Sequence, residues 1–272
     1  MSDFPEGLKA VKHIVAVASG KGGVGKSTTA VNLALALQAE GVATGLLDGD
    51  IYGPSIPLML GVSEGTRPGT AGGNQLLPVE AHGLKTMSLG YLLEDKAPAV
   101  WRGPMASGAL QQMLMQTQWG ELDCLVVDMP PGTGDIQLTL AQKVSVAGAV
   151  IVTTPQDIAL LDAEKGIEMF RKVNIPVIGV VENMALHICS QCGHSEPVFG
   201  EGGGERIARD YQTQLLGSLP LDRTIREQVD GGNPTVVAEP DGQVAAIYRD
   251  IARKVVAQLQ QTDSAIPEIE IE

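Results

Sequence analysis

The sequence predicts an α/β chain: a doubly wound, mostly parallel sheet flanked by helices, with a small β-hairpin inserted at one edge. Three observations carry the prediction. Short runs rich in Val and Ile alternate with stretches of helical period along the chain. The runs are apolar throughout, as strands covered on both faces are, rather than apolar at every second residue. No internal repeat or linker divides the 272 residues, which are enough for one domain with a sizeable core.

In chain order the strands are expected at 13–19 (HIVAVAS), 44–50, 122–130, 147–155, 175–183 and 214–220. The first helix is STTAVNLALALQAEG, stopped by Gly41. Residues 157–174 and 241–260 carry the other clear helical patterns, and 74–90 (NQLLPVEAHGLKTMSLG) reads as the inserted antiparallel hairpin. Residues 1–12 form a lead-in and 13–260 the domain. Residues 261–272, acidic and without Lys or Arg, read as a solvated, mobile tail.

Composition excludes several functions. The formal net charge is −13, which repels phosphate polyanions and anionic lipid at long range and argues against nucleic-acid or membrane partners. Aromatic residues make up 3%, leaving few platforms for stacking bases. The apolar runs are too short to span a bilayer, and the first ten residues carry no secretion pattern. Three cysteines in such a chain predict a reducing, cytoplasmic setting without a disulfide framework.

Gly20-Lys21-Gly22-Gly23-Val24-Gly25-Lys26-Ser27 follows a strand and opens a helix, the context that makes G-x-x-x-x-G-K-[ST] a phosphate loop. Its glycines let backbone N–H groups converge on an anion at the positive end of a helix, which Thr28 continues. Lys26 would reach the β/γ-phosphates of ATP, and the Ser27 hydroxyl would ligate Mg²⁺. Asp128, at the end of LDCLVVD, has the form of the carboxylate that holds Mg²⁺ through water. The MPPGTGD turn after it, with Gly132, is placed to sense the γ-phosphate. Asp50, in LLDGDIYGPS, is a candidate for orienting the attacking water; Asp48 carries both that reading and that of a strand-end turn residue.

GKGGVGKST resembles the deviant phosphate loop of the dimeric ATPases related to MinD, ParA and the nitrogenase iron protein. The resemblance implies that Lys21 reaches the partner subunit's nucleotide, delivering positive charge to the transition state in trans. It also implies that Asn183 and the loop at Pro220 hold the adenine base.

HICSQCGHSEPVFGEGGGE (187–205) carries Cys189 and Cys192, a lone C-x-x-C. A redox pair would open a helix, and the residues that follow make a poor one. A zinc site within one chain needs four ligands, and His187 and His194 lie only two residues from a cysteine. A symmetric dimer would unite two pairs as Cys₄, for a cluster or for zinc, and thiolate softness does not choose between them. Cys124 sits inside an apolar strand as a small hydrophobe. The four histidines (His13, His82, His187, His194) form no catalytic constellation, and Met113 and Met115 are core or dimer-contact residues.

GKGGVGKST, DGDIYGPS, WRGPM, DMPPGTGD, VENM, CSQCG and PLDRTIREQVDGGNP together resemble the Mrp/ApbC-type iron–sulfur cluster carrier ATPases, in that family's order, from about residue 8 to about 260. That resemblance implies an ATP-hydrolysing homodimer whose Cys189 and Cys192 hold a labile [4Fe–4S] cluster across the two subunits. It further implies exchange with cluster-assembly scaffolds and apo iron–sulfur proteins. The alternatives are a zinc-stapled dimeric ATPase and a MinD- or ParA-like positioning ATPase, which the acidic tail and net charge oppose.

Overall fold

The computed structural model describes residues 6–72, 75–93, 103–132, 134, 137, 144–189 and 191–264. Trp101 and Arg102 of WRGPM, Thr133 and Asp135 of the MPPGTGD turn, Ser190, residue 74 of the expected hairpin and residues 265–272 of the tail lie outside them.

The chain enters through a 3₁₀ turn (Glu6–Leu8) and β1 (Val11–Ala18), then α1 (Lys26–Ala39), β2 (Thr44–Asp48) and the four-residue α2 (Ile56–Met59). Four short strands follow: β3 (Gly69–Ala71), β4 (Gln75–Leu77), β5 (Val79–Ala81) and β6 (Leu84–Ser88). Next come α3 (Gly103–Gln116), β7 (Leu122–Asp128), β8 (Gly148–Thr153), α4 (Asp157–Lys172) and β9 (Val177–Glu182). The last third holds β10 (His187–Ile188), β11 (Ser195–Glu196), α5 (Gly203–Asp210), β12 (Leu215–Ser218), α6 (Arg223–Asp230), α7 (Thr235–Ala238) and α8 (Gln243–Ser264).

Eight strands form the main sheet in the order β12-β9-β8-β1-β7-β2-β6-β5. Every neighbouring pair is parallel except β5 with β6. The α/β architecture expected from the sequence is therefore observed. The edge hairpin is also present, with a different partition. β5 and β6 make the antiparallel edge, while β4 leaves it to pair with β3 in a separate two-stranded sheet. Pro78 divides the two halves by withholding a ladder N–H.

Both faces of the sheet are covered, which explains the unbroken apolar runs. Along β1, Ile14, Ala16 and Ala18 join a core with Trp119, Leu110 and Phe170 under α3 and α4. Val15 and Val17 point the other way, into a core with Leu33, Tyr248 and Ile251 under α1 and α8. From Thr29 to Leu37 every residue of α1 is buried, the pattern of a helix packed all round. Its alanines let α8 and the sheet approach closely, and truncating Leu33 to Ala would cost about 2–5 kcal/mol. By contrast α4 is amphipathic: Leu160, Ala163, Ile167 and Phe170 are buried, and Asp157 at its start with Arg171 and Lys172 at its end complement the helix dipole.

Two boundaries and one helix depart most from expectation. β1 begins at Val11 and Leu8 is buried, so part of the lead-in packs. α8 continues to Ser264, past the expected end at 260. α3 is a helix beyond those expected, its pattern weakened by Gly103, Pro104 and Gly108.

Candidate functional site

The parallel register sets the site. Asp128 pairs in register with Asp48 and with Val17, and Asp48 pairs in turn with Ser88. Two carboxylates and a hydroxyl thus stand level at the C-terminal edge of the sheet, beside the loop that leaves β1. Ligands of open α/β sheets bind at this edge.

Residues 19–25 form that loop. Gly25, at φ 84°, caps α1 without any side-chain cap bond, so the first amides of α1 keep their donors. A Cβ on Gly25 would lie 2.2 Å from Asn183 Nδ2, and one on Gly20 would lie 2.0 Å from the Asp162 carbonyl oxygen in α4. Backbone contact requires glycine at position 20, and the left-handed φ favours it at position 25. Gly22 and Gly23 are exposed, Val24 is buried, and Ser27 and Thr28 are half-buried.

Lys26 is buried at the first position of α1 and donates to Asp128 Oδ1 at 2.6 Å. It also lies 3.2 Å from the Ser27 hydroxyl and 3.9 Å from Asp50 Oδ2. Burial pulls the Asp128 carboxyl above the ordinary carboxylate range, against the opposing charge of Lys26. Its Oδ2 is buried without a hydrogen-bond partner among the described residues, as expected of an oxygen kept for a cation or its water. Asp50 is raised in the same way by burial, with Lys26 again opposing.

Asp48 does different work from Asp50. Its Oδ1 accepts the Asp50 N–H at 3.2 Å, and Oδ2 accepts the Ile56 N–H at 3.2 Å and the Ser88 hydroxyl at 2.9 Å. Burial, then the nearby Asp128 charge, pushes its carboxyl up to about 7. Asp48 is the tether of the loop that presents Asp50.

Lys21 is half-buried on the loop tip; the Ser19 hydroxyl donates to its carbonyl, and its ammonium forms no ion pair with a described residue. Asn183 closes the floor of the loop, its Nδ2 donating to the Val24 carbonyl at 2.8 Å. Pro220 lies beside it in space: Leu219 donates to the Glu182 carbonyl, and the Leu219 carbonyl accepts from Ala185. The structure thus brings together the phosphate loop, Asp50, Asp128, Asn183 and, one strand on, the Pro220 loop.

Cys189 and Cys192 stand apart, on the tip of the β10–β11 hairpin. Cys189 N–H donates to the His194 carbonyl, and Gly193 N–H, at φ 71°, returns to the Cys189 carbonyl, both at 2.8 Å. The N–H groups of Cys192 and Gln191 aim at the Cys189 sulfur and hold its thiol below the ordinary range. This favours the thiolate, the form that binds metal. Cys192 is exposed. No group of three or more His, Cys, Asp or Glu able to hold a metal ion occurs among the described residues. His194 contributes its backbone, while His187 is turned to the Leu221 carbonyl. Cys124 is buried and pushed up to about 12, and Met113 is core while Met115 packs at its margin.

Sequence reasoning missed an apolar surface beside the hairpin. Ile158 and Leu161 on α4 are 66% and 56% exposed, and Ile188 and Val198 flank the cysteines at 53% and 51%. The loop after the hairpin passes the start of α4 at Gly200, near Pro155, and α5 is tied to α4 by Arg206 on Asp157. The signal was present in DIALLDAEKGIEMF, where Ile158 and Leu161 fall off the buried face.

Comparison with known proteins agrees with this geometry. The family model described as NUBPL iron-transfer P-loop NTPase matches residues 10–256. The iron-sulfur cluster carrier protein of Pseudomonas fragi is 65% identical over 90% of this chain and 86% of its own length. That of Escherichia coli K12 is 61% identical over 96% of this chain and 70% of its own. The iron-sulfur cluster transfer protein NUBPL of Mus musculus is 50% identical over 94% and 80%. Among solved structures, a nucleotide-binding protein from Archaeoglobus fulgidus in complex with ADP superposes with a TM-score of 0.77 at 37% identity, over 90% of this chain and 96% of that one. The cell division ATPase MinD of Pyrococcus furiosus shares the fold, with a TM-score of 0.68 at 23% identity over 90% and 98%. With the phosphate loop, its carboxylates and the C-x-x-C hairpin in place, the chain belongs to the NUBPL iron-transfer P-loop NTPase family.

Proposed function

We propose that the protein is an ATP-binding and ATP-hydrolysing carrier that holds a labile [4Fe–4S] cluster between two copies of itself and passes it to apo iron–sulfur proteins. The observation that carries the reading is the half-site: two free cysteines three positions apart on the turn of a two-stranded hairpin, and no group of three or more metal-binding side chains among the described residues. A two-fold axis supplies the other half. The exposed apolar side chains around the hairpin are the kind of surface such an axis would cover. Relatives at 65% and 61% identity are named iron-sulfur cluster carrier proteins.

On the nucleotide side, the buried Lys26–Asp128 pair is what ATP and Mg²⁺ would divide between them. The ammonium would go to the β/γ-phosphates, and the carboxylate, through its unpartnered Oδ2, to water on Mg²⁺ held by Ser27. The residues present fit the ion: a buried acceptor without a partner and a hydroxyl at the start of α1. Mg²⁺ supplies charge neutralisation between phosphate oxygens. Asp50 would orient the attacking water, and Lys21 would act on the partner's nucleotide. Asn183 and Pro220 would flank the adenine. Cytosolic thiol buffering suits exposed cysteines that must stay reduced, and cluster-assembly scaffolds would supply the cargo.

The test is anaerobic reconstitution of the full chain with iron and sulfide, followed by metal analysis and sizing. About four iron and four sulfide per dimer, with broad absorption near about 400 nm, is the expected result. Bound zinc in place of iron would establish a stapled dimer instead, and a monomer without iron would remove the carrier reading.

A further inference from the structure

The cysteine hairpin grows out of the nucleotide site through six residues of tied backbone. Asn183 is buried, with its side chain on the Val24 carbonyl of the phosphate loop and its N–H on the Thr153 carbonyl. Cys189 follows six positions later. Between them the chain is zipped to residues 219–221. Leu219 N–H donates to the Glu182 carbonyl at 2.8 Å, Ala185 N–H to the Leu219 carbonyl at 2.9 Å, and Leu221 N–H to the Leu186 carbonyl at 2.9 Å. His187 Nδ1 closes the zipper on the Leu221 carbonyl at 3.2 Å. His187 also opens β10, which leads into the cysteine turn itself.

The geometry points to an intrachain coupling in which residues 183–187, zipped to 219–221, carry the occupancy of the nucleotide site to the cysteine turn, with Met184 as its stiff joint. Met184 sits in the left-handed region at φ 58°, where a side chain other than glycine is held only by its surroundings. Those surroundings are Asn183, fixed to the phosphate loop, and the main-chain zipper. A base bound between Asn183 and the Pro220 loop would touch both rails of that zipper. It would also compete for the Nδ2 donor now on Val24. Such a shift reaches Cys189 because no glycine or unpaired stretch intervenes to absorb it, and a ligand moves an equilibrium only through differential contacts of this kind.

This inference rests on the nucleotide reading of the site and does not require that a cluster be bound. Its test therefore uses metal-free, reduced full-length protein. Cys189 and Cys192 are alkylated with iodoacetamide, with and without saturating MgADP or MgATP, and the labelling rate is read by mass spectrometry. In the wild type, nucleotide should change the rate by about fivefold or more, the lower range for coupled sites. Met184→Gly keeps the left-handed backbone accessible while loosening the joint. It should bind nucleotide as the wild type does, with the rate change reduced to less than about twofold. Nucleotide binding without any change in wild-type labelling would overturn the coupling alone. A full change surviving in Met184→Gly would overturn it too, placing the effect in subunit closure. Failure to bind nucleotide at all would overturn both the coupling and the nucleotide reading beneath it.

Discussion

The phosphate loop and the cysteine hairpin lie at one end of the molecule and are built in opposite ways. The loop is anchored from behind: α1 is buried from Thr29 to Leu37, Gly20 abuts α4, and Gly25 abuts Asn183. The hairpin has two strands of two residues each, with Cys192 exposed and Cys189 half-buried. A site that must grip one small anion benefits from preorganised donors. The proposed cargo site, which would take up a cluster and surrender it to another protein, would benefit from exposure and low local stability. Damage should therefore spread far from the first site and hardly at all from the second.

Lys26→Ala should spread furthest. It removes the phosphate grip and leaves Asp128 buried and unpaired, so nucleotide binding is lost and unfolding in denaturant comes about 3–5 kcal/mol sooner. An unchanged midpoint would show that the loop is less integral to the fold than its burial indicates. Lys21→Ala comes next: nucleotide titration unchanged, and ATP turnover about 10³-fold lower, as for a charge supplied in trans. Normal turnover would remove the cross-subunit role. Asp48→Asn should cost about 1–3 kcal/mol, since an NH₂ donor replaces one of the two oxygens that accept from Asp50, Ile56 and Ser88. Its turnover should fall more than its nucleotide affinity. Smallest in reach is Cys189→Ser, with iron and sulfide lost on reconstitution while the unfolding midpoint and nucleotide affinity stay at wild-type values. A falling midpoint in that variant would break the contrast between the two regions.

What was legible in the sequence follows the same division. The central strands were readable because burial on both faces forces unbroken apolar runs such as CLVVD, and the phosphate loop because its backbone geometry demands glycines at fixed spacing. Asp128 was readable as the charge ending such a run. The tether formed by Asp48 was not, since its meaning depends on Ser88, forty positions away, arriving one strand over. The zipper between residues 185–187 and 219–221 is mostly main chain to main chain, which leaves almost no trace in residue identity. The split of the expected 74–90 hairpin into two ladders turned on one proline, a local signal outweighed in the reading by the alternation around it.

The burial of Lys26 has one more consequence, for the life of the protein rather than its chemistry. The residue proposed to meet the phosphates is also the first residue of the helix at the centre of the fold. A ligand there is felt by the whole chain, adding about 2.7 kcal/mol to the unfolding free energy at a hundredfold excess over its Kd. In a cell replete with nucleotide, the working heat resistance of this protein would be that of its loaded form. A copy that fails to load would be the one unfolded, and cleared by proteases, first.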